Sequence, residues 1–251
     1  MKVFVKMSFL AATMFFVSIR GNAQTLKQYR DKANQVINNN SGNKGTGVGS
    51  LSNTDIVSAL REALQIGAQN SGKKLSLPNG YFGNQIIKIL MPPEAKKVES
   101  TLRGMGMGDQ VDKAILSMNR AAEDAAMKAV PIFIDAIKGM SIQDGLSILQ
   151  GGNGAATNYL KSKTTSALTN AFRPVIKNSL DKVDATRYWK DIFSTYNKVP
   201  LVKHINPDLT AYVTERALNG LFVTVADEEN KIRTNPAARV TDLLKKVFGA
   251  K

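Results

Sequence analysis

The sequence predicts an all-α protein: a single multi-helix bundle with a long kinked central helix, following a cleaved signal peptide and a flexible linker. Three observations carry that expectation. From Asp109 to Met140, Val111, Ile115, Met118, Ala122, Ala125, Ala129, Ile132 and Ala136 recur every three or four residues, the spacing of one helix face. Leu209, Val213, Ala217, Leu221 and Val225 repeat the signal at four-residue steps. No segment alternates apolar and polar residues for long enough to demand a sheet. The chain has 251 residues, 43% of them apolar, enough to bury one large core or two small ones.

Lys2 and Lys6 precede an apolar run from Met7 to Ile19, which ends at Gly21-Asn22-Ala23. A basic start, a short apolar segment and a small residue at its end predict a secretory signal peptide over residues 1–23, cleaved near Ala23. The run is too short for an ordinary membrane span, and no later segment is long and apolar enough to be one. Cleavage would remove Lys2, Lys6 and Arg20 and lower the formal charge from +14 to +11. The predicted address is therefore export, to a bacterial periplasm or beyond.

Residues 24–50 predict a short helix over Leu26 to Ile37 and a Gly/Ser/Asn-rich linker over Asn38 to Ser50. The all-helical domain is expected over 51–251. Ser52 and Asp55 have capping-box spacing and open a helix to about Asn70. Pro78-Asn79-Gly80 is a turn. Gln85 to Met91 is a short apolar run of ambiguous type, ended by Pro92-Pro93. Glu94 to Leu102 reads as a helix, stopped by Gly104, Gly106 and Gly108 before the central helix, which Pro131 should bend.

Ser141 and Asp144 cap the next short helix, and Asn153 is the expected cap of the one after it. Phe172 and Pro174 mark a bend, with separate helical pieces over Val175 to Val183 and Tyr188 to Tyr196. Asn206-Pro207 and Asn235-Pro236 each fit a cap followed by proline in the first turn. They are expected to open the last two helices.

Composition excludes several chemistries. With no cysteine, disulfides, thiol catalysis and thiolate metal sites are ruled out. With one histidine, His204, so are multi-histidine metal sites. Neither a metal nor a cofactor is expected. Gly67-AQNS-Gly72-Lys73-Lys74 comes close to a phosphate-binding loop, but Lys74 stands where Ser or Thr must bind magnesium, and no strand precedes it. The charge of +14 points to an anionic partner such as lipid head groups or polysaccharide. Export and scattered lysines argue against nucleic acid.

Four stretches carry a family resemblance: LSNTDIVSALREAL at 51–64, MNRAAEDA at 118–125, ILQGGNGAATNYL at 148–160, and YVTERALNGLF with EENKIRTNPAARVTDLLKKVF within 212–248. Together they resemble domain-of-unknown-function family 4197. The resemblance implies an exported bacterial protein with an all-helical domain and no established activity. Positions matching the family's recurring polar motif residues are Arg103, Asn119, Arg120, Glu123, Asp135, Thr157, Tyr159, Glu229, Arg233 and Arg239.

The candidate site is a carboxylate–arginine cluster. Asn119, Arg120 and Glu123 lie on the central helix, and Glu229 with Arg233 on the penultimate one; both acid–base pairs have helical spacing. Facing each other, the two helices could line a pocket for a polar ligand. Paired carboxylates could also do acid–base work, as in glycan cleavage. The third possibility is a buried ion-pair network that fixes helix packing. Two functions follow. One is a non-enzymatic envelope protein binding an anionic partner through its basic surface; the other is a periplasmic hydrolase or small-ligand binder using the cluster.

Overall fold

The structure is a computed structural model and describes residues 52–198, 204 and 208–235. The expected signal peptide, the 24–50 segment, Asn206-Pro207, the helix expected after Pro236 and Arg239 lie outside the described residues.

The first helix, α1 (Asn53–Ser76), is opened by the expected capping box. Ser52 Oγ accepts from Asp55 N at 3.1 Å, and Asp55 Oδ2 accepts from Ser52 N at 3.1 Å. The helix runs past Asn70 because Ser71, Gly72 and Leu75 are buried and hold its last turns against the bundle. The near-match to a phosphate loop is thus the interior of a helix. A non-helical stretch and one 3₁₀ turn (Pro93–Ala95) lead to α2 (Lys96–Gly104). Then come α3 (Gly108–Ala126), α4 (Ala129–Lys138), α5 (Ile142–Gln150), α6 (Ala155–Asp181), α7 (Ala185–Tyr196) and α8 (Leu209–Thr234). No strand occurs among the described residues.

The two longest helices, α6 and α8, pack most extensively on each other, with α3 and α1 against them. Along α6, Leu160, Leu168, Phe172, Ile176 and Leu180 form a stripe with at most 1% exposure. Along α8 every residue of the expected four-step series is buried. Each of the larger side chains among these contributes about 1.5–3 kcal/mol relative to the exposed state, the small Ala217 less.

The expected long central helix is two helices. The break falls at Met127 and Lys128, between α3 and α4, and not at Pro131. Pro131 has no N–H to give the Met127 carbonyl four residues back, and its ring would crowd that carbonyl. The carbonyl accepts instead from Val130 N at 3.3 Å, in a tightened turn. The buried face shifts at the break. Val111, Ile115, Met118, Ala122, Ala125 and Ala129 face the core as expected, but Phe133 and Ile137 are fully buried where Ile132 and Ala136 were expected.

Proline has the opposite outcome in α6, which continues through Pro174 without ending at the expected bend. Both Pro174 and Asn170, whose carbonyl loses its donor, are exposed, so the missing bond falls on the solvent side of the helix. Phe172 and Ile176 hold both sides of the proline in one core. The cap of α8 is Asp208, whose Oδ1 accepts from Ala211 N at 2.9 Å, and the helix begins after Pro207.

Candidate functional site

The stretch between α1 and α2 lies over α3 and α8, and Asn119 and Glu123 hold it there. Glu123 Oε1 accepts from Tyr81 N at 3.1 Å and from Phe82 N at 3.2 Å. Its Oε2 accepts from Arg120 Nη1 at 2.5 Å, and Arg120 Nη2 reaches Asn79 Oδ1 at 3.0 Å. One helical turn earlier, Asn119 Oδ1 accepts from Ile89 N at 2.8 Å while its Nδ2 donates to Ile89 O at 2.8 Å. Asn119 therefore treats the backbone of Ile89 as a neighbouring strand would. The ambiguous 85–91 run is neither helix nor strand: Gln85 to Ile87 form a turn in which Lys88 N donates to Asn84 O at 2.8 Å, and the irregular stretch after it is tied at Ile89 by a side chain.

Tyr81, missed in the sequence, completes this network. It is fully buried, and its hydroxyl donates to the Ala217 carbonyl of α8 at 2.8 Å. Its ring lies against Gly220, where a Cβ would stand 2.7 Å from Tyr81 Cε1. Burial pushes the Tyr81 hydroxyl far above its ordinary pKa, and the Glu123 charge adds to the effect. The signal was the aromatic residue directly after the Pro78-Asn79-Gly80 turn.

Glu229 forms a second network. The expected cap of α6, Asn153, does not cap it; the N-cap position is Gly154, in a left-handed conformation at φ 82° with no side chain to offer. The free amides are taken from across the bundle instead. Glu229 Oε1 accepts from Ala156 N at 3.2 Å, and Oε2 accepts from Thr157 N at 2.9 Å and Thr157 Oγ1 at 2.7 Å. Arg233 Nε donates to Glu229 Oε1 at 2.9 Å, and Arg233 Nη2 donates to the Ile148 carbonyl near the end of α5 at 3.0 Å. Anion at a helix start and cation at a helix end is the arrangement the peptide dipoles favour.

The two carboxylates do not meet in one pocket. Tyr81, which ties Glu123 to α8, contacts that helix at Ala217, twelve residues before Glu229. At the helical rise this is roughly 18 Å along the axis. Each acid has its own arginine and its own backbone amides.

The other motif positions are dispersed. Arg103 Nε bonds Glu99 at 3.0 Å and its Nη2 bonds Asp112 at 2.7 Å; this exposed bridge holds the Asp112 carboxyl below its usual range. Asp135 is exposed on α4. Tyr159 is half-buried; burial raises its pKa, and nearby Asp144 raises it further. Two more tethers were missed in the sequence. Arg61 of α1 donates to the Met140 carbonyl just beyond α4, and Glu228 accepts from Asn70 of α1 at 3.1 Å. Arg61 and Glu228 both stand within the family stretches, but no local spacing marks either contact, since each partner lies far along the chain.

An open cavity of about 290 Å³ lies between α6 and α8. Lys161, Thr165, Thr169 and Arg173 line it at four-residue steps, facing Leu218 and Phe222. None of the sequence-predicted site residues lines it. Among the described residues, no group of three or more His, Asp or Glu side chains could hold a metal ion. No helix among them is long and apolar enough to cross a membrane.

Residues 50–249 match the family model described as "Protein of unknown function (DUF4197)". The chain belongs to this family. The DUF4197 match covers all eight α-helices of the described residues and both buried networks. No curated protein and no solved structure matches the chain.

Proposed function

We propose that this DUF4197 protein is an exported, non-enzymatic component of the bacterial cell envelope that attaches to an anionic partner through its basic surface. The observation that carries this reading is the employment of its two best-placed acids. Glu123 and Glu229 are 4% and 5% exposed, and every carboxylate oxygen already accepts from a backbone amide, a hydroxyl or an arginine. A general acid or base must reach the proton it moves. These two reach only their own fold, which favours binding over hydrolysis at the cluster. The formal charge of +14 supports an anionic partner, and the basic, then apolar, N-terminus supports export.

Expression of the full chain in a Gram-negative host tests both parts. The expected result is a periplasmic product that starts near Gln24 and co-sediments with envelope membranes at low salt but not at high salt. A full-length product retained in the cytoplasm would remove export from the reading. Attachment indifferent to salt would remove the electrostatic part.

A further inference from the structure

We propose that the face formed by the C-terminal end of α1 and the α3–α4 break docks on the surface of an anionic lipid bilayer. The inference rests on the envelope reading above and names the surface and partner. Gly72 brings the two elements together: a Cβ there would run into Val130 Cγ2 and would lie 3.6 Å from Met127 Sδ. Arg120 Nη2, bonded to Asn79 Oδ1 at 3.0 Å, pulls the turn after α1 against α3. These two adjoining elements each carry a large exposed apolar side chain, Leu77 at 60% exposure and Met127 at 44%.

Lys73 and Lys74 precede Leu77 by four and three residues, and Lys128 directly follows Met127. All three are exposed, and none pairs with a carboxylate among the described residues. The acids nearby offset them only in part. Glu123 is buried and paired with Arg120, while Asp124, bonded to the Ser179 hydroxyl of α6 at 2.6 Å, sets one negative charge against the three lysines and leaves the face net positive.

A leucine and a methionine held out of the fold beside three unpaired lysines match the two layers of an anionic bilayer surface. Phosphate charge meets the lysines, and the acyl boundary takes the apolar tips. A polysaccharide offers the charge without the apolar layer, so Leu77 and Met127 favour lipid.

The test uses the chain from Gln24 onward, which retains the compact unit of residues 49–251. Vesicles of phosphatidylcholine are compared with vesicles also containing phosphatidylglycerol. Binding is expected to the anionic vesicles only and to weaken with salt. The triple variant Lys73→Glu/Lys74→Glu/Lys128→Glu should bind about a hundredfold more weakly. The charge-matched control Lys113→Glu/Lys163→Glu/Lys190→Glu should stay within about threefold of the parent, because those lysines lie outside the face.

Leu77→Gln, which leaves the charge unchanged, should weaken binding several-fold by losing apolar burial. Circular dichroism and melting of each variant establish that the bundle is retained. Equal loss in both triple variants overturns the docking face while leaving electrostatic attachment standing. Binding to anionic polysaccharide but not to lipid overturns the bilayer partner and likewise leaves the envelope reading intact. No binding to either partner overturns both.

Discussion

The Glu229 carboxylate accepts from Thr157 N at 2.9 Å and from Thr157 Oγ1 at 2.7 Å, so a residue 72 positions away caps the start of α6. Gly154 makes this possible, because a glycine at the cap position leaves the amides open to an acid arriving from α8. Arg233 then joins that acid to the end of α5. Two helix termini are tied to α8 by one ion pair.

Replacing Glu229 should therefore act on folding. Glu229→Ala removes the carboxylate from beside the Arg233 guanidinium, whose side chain is 14% exposed, and frees the α6 amides. The expected loss is about 3–5 kcal/mol in urea denaturation. Thr157→Val, which removes only the hydroxyl donor, should cost about 1–2 kcal/mol. A Glu229→Ala variant as stable as the parent would contradict the capping role.

Asn119 can be tested by exchange. Its side chain is the acceptor for Ile89 N and the donor to Ile89 O. Asn119→Leu should leave both buried backbone groups unpaired, at about 2–3 kcal/mol in total. Hydrogen exchange should show Ile89 losing protection while the amides of α6 keep theirs relative to global stability. Unchanged protection at Ile89 would mean that the strip is held by packing alone.

Two glycines should respond in opposite directions to alanine. At Gly220 a Cβ would press the Tyr81 ring, which its hydroxyl bond to Ala217 prevents from moving aside. Overpacking of about 1–3 kcal/mol should exceed the helix-propensity gain of about 1 kcal/mol. At Gly104 nothing lies within 4 Å, and alanine should stabilise α2 by about 0.5–1 kcal/mol. Thermal melts of the two variants give the comparison.

Acid sensitivity should follow the capping aspartates. Hydrogen bonds from Ser52 hold Asp55 below its ordinary pKa, and hydrogen bonds from Ser141 do the same for Asp144. A carboxyl whose pKa is depressed on folding stabilises the protein above its unfolded value of 3.8. That stabilisation is lost as pH falls through the lower folded value. Parent and Asp55→Asn/Asp144→Asn melting temperatures should differ at neutral pH and converge in stronger acid. A gap that persists at low pH would assign the effect to geometry and not to charge.

What the sequence determined by itself is local. The period of Val111 to Ala125 on α3 and of Leu209 to Val225 on α8 set the buried faces, and the pairs Ser52/Asp55 and Ser141/Asp144 set two helix starts, because each involves residues within a turn or two. Motif content was likewise sufficient for DUF4197 membership. Tertiary structure decided which terminus each charged residue would serve. Glu229 and Glu123 both have an arginine at helical spacing, yet one caps α6 and the other clasps the loop at Tyr81. The choice depends on amides brought within 3 Å or so by packing, and no periodicity records it. The two prolines differ for the same reason: Pro174 leaves its orphaned carbonyl facing water, whereas Pro131 sits where a break turns Phe133 and Ile137 into the core.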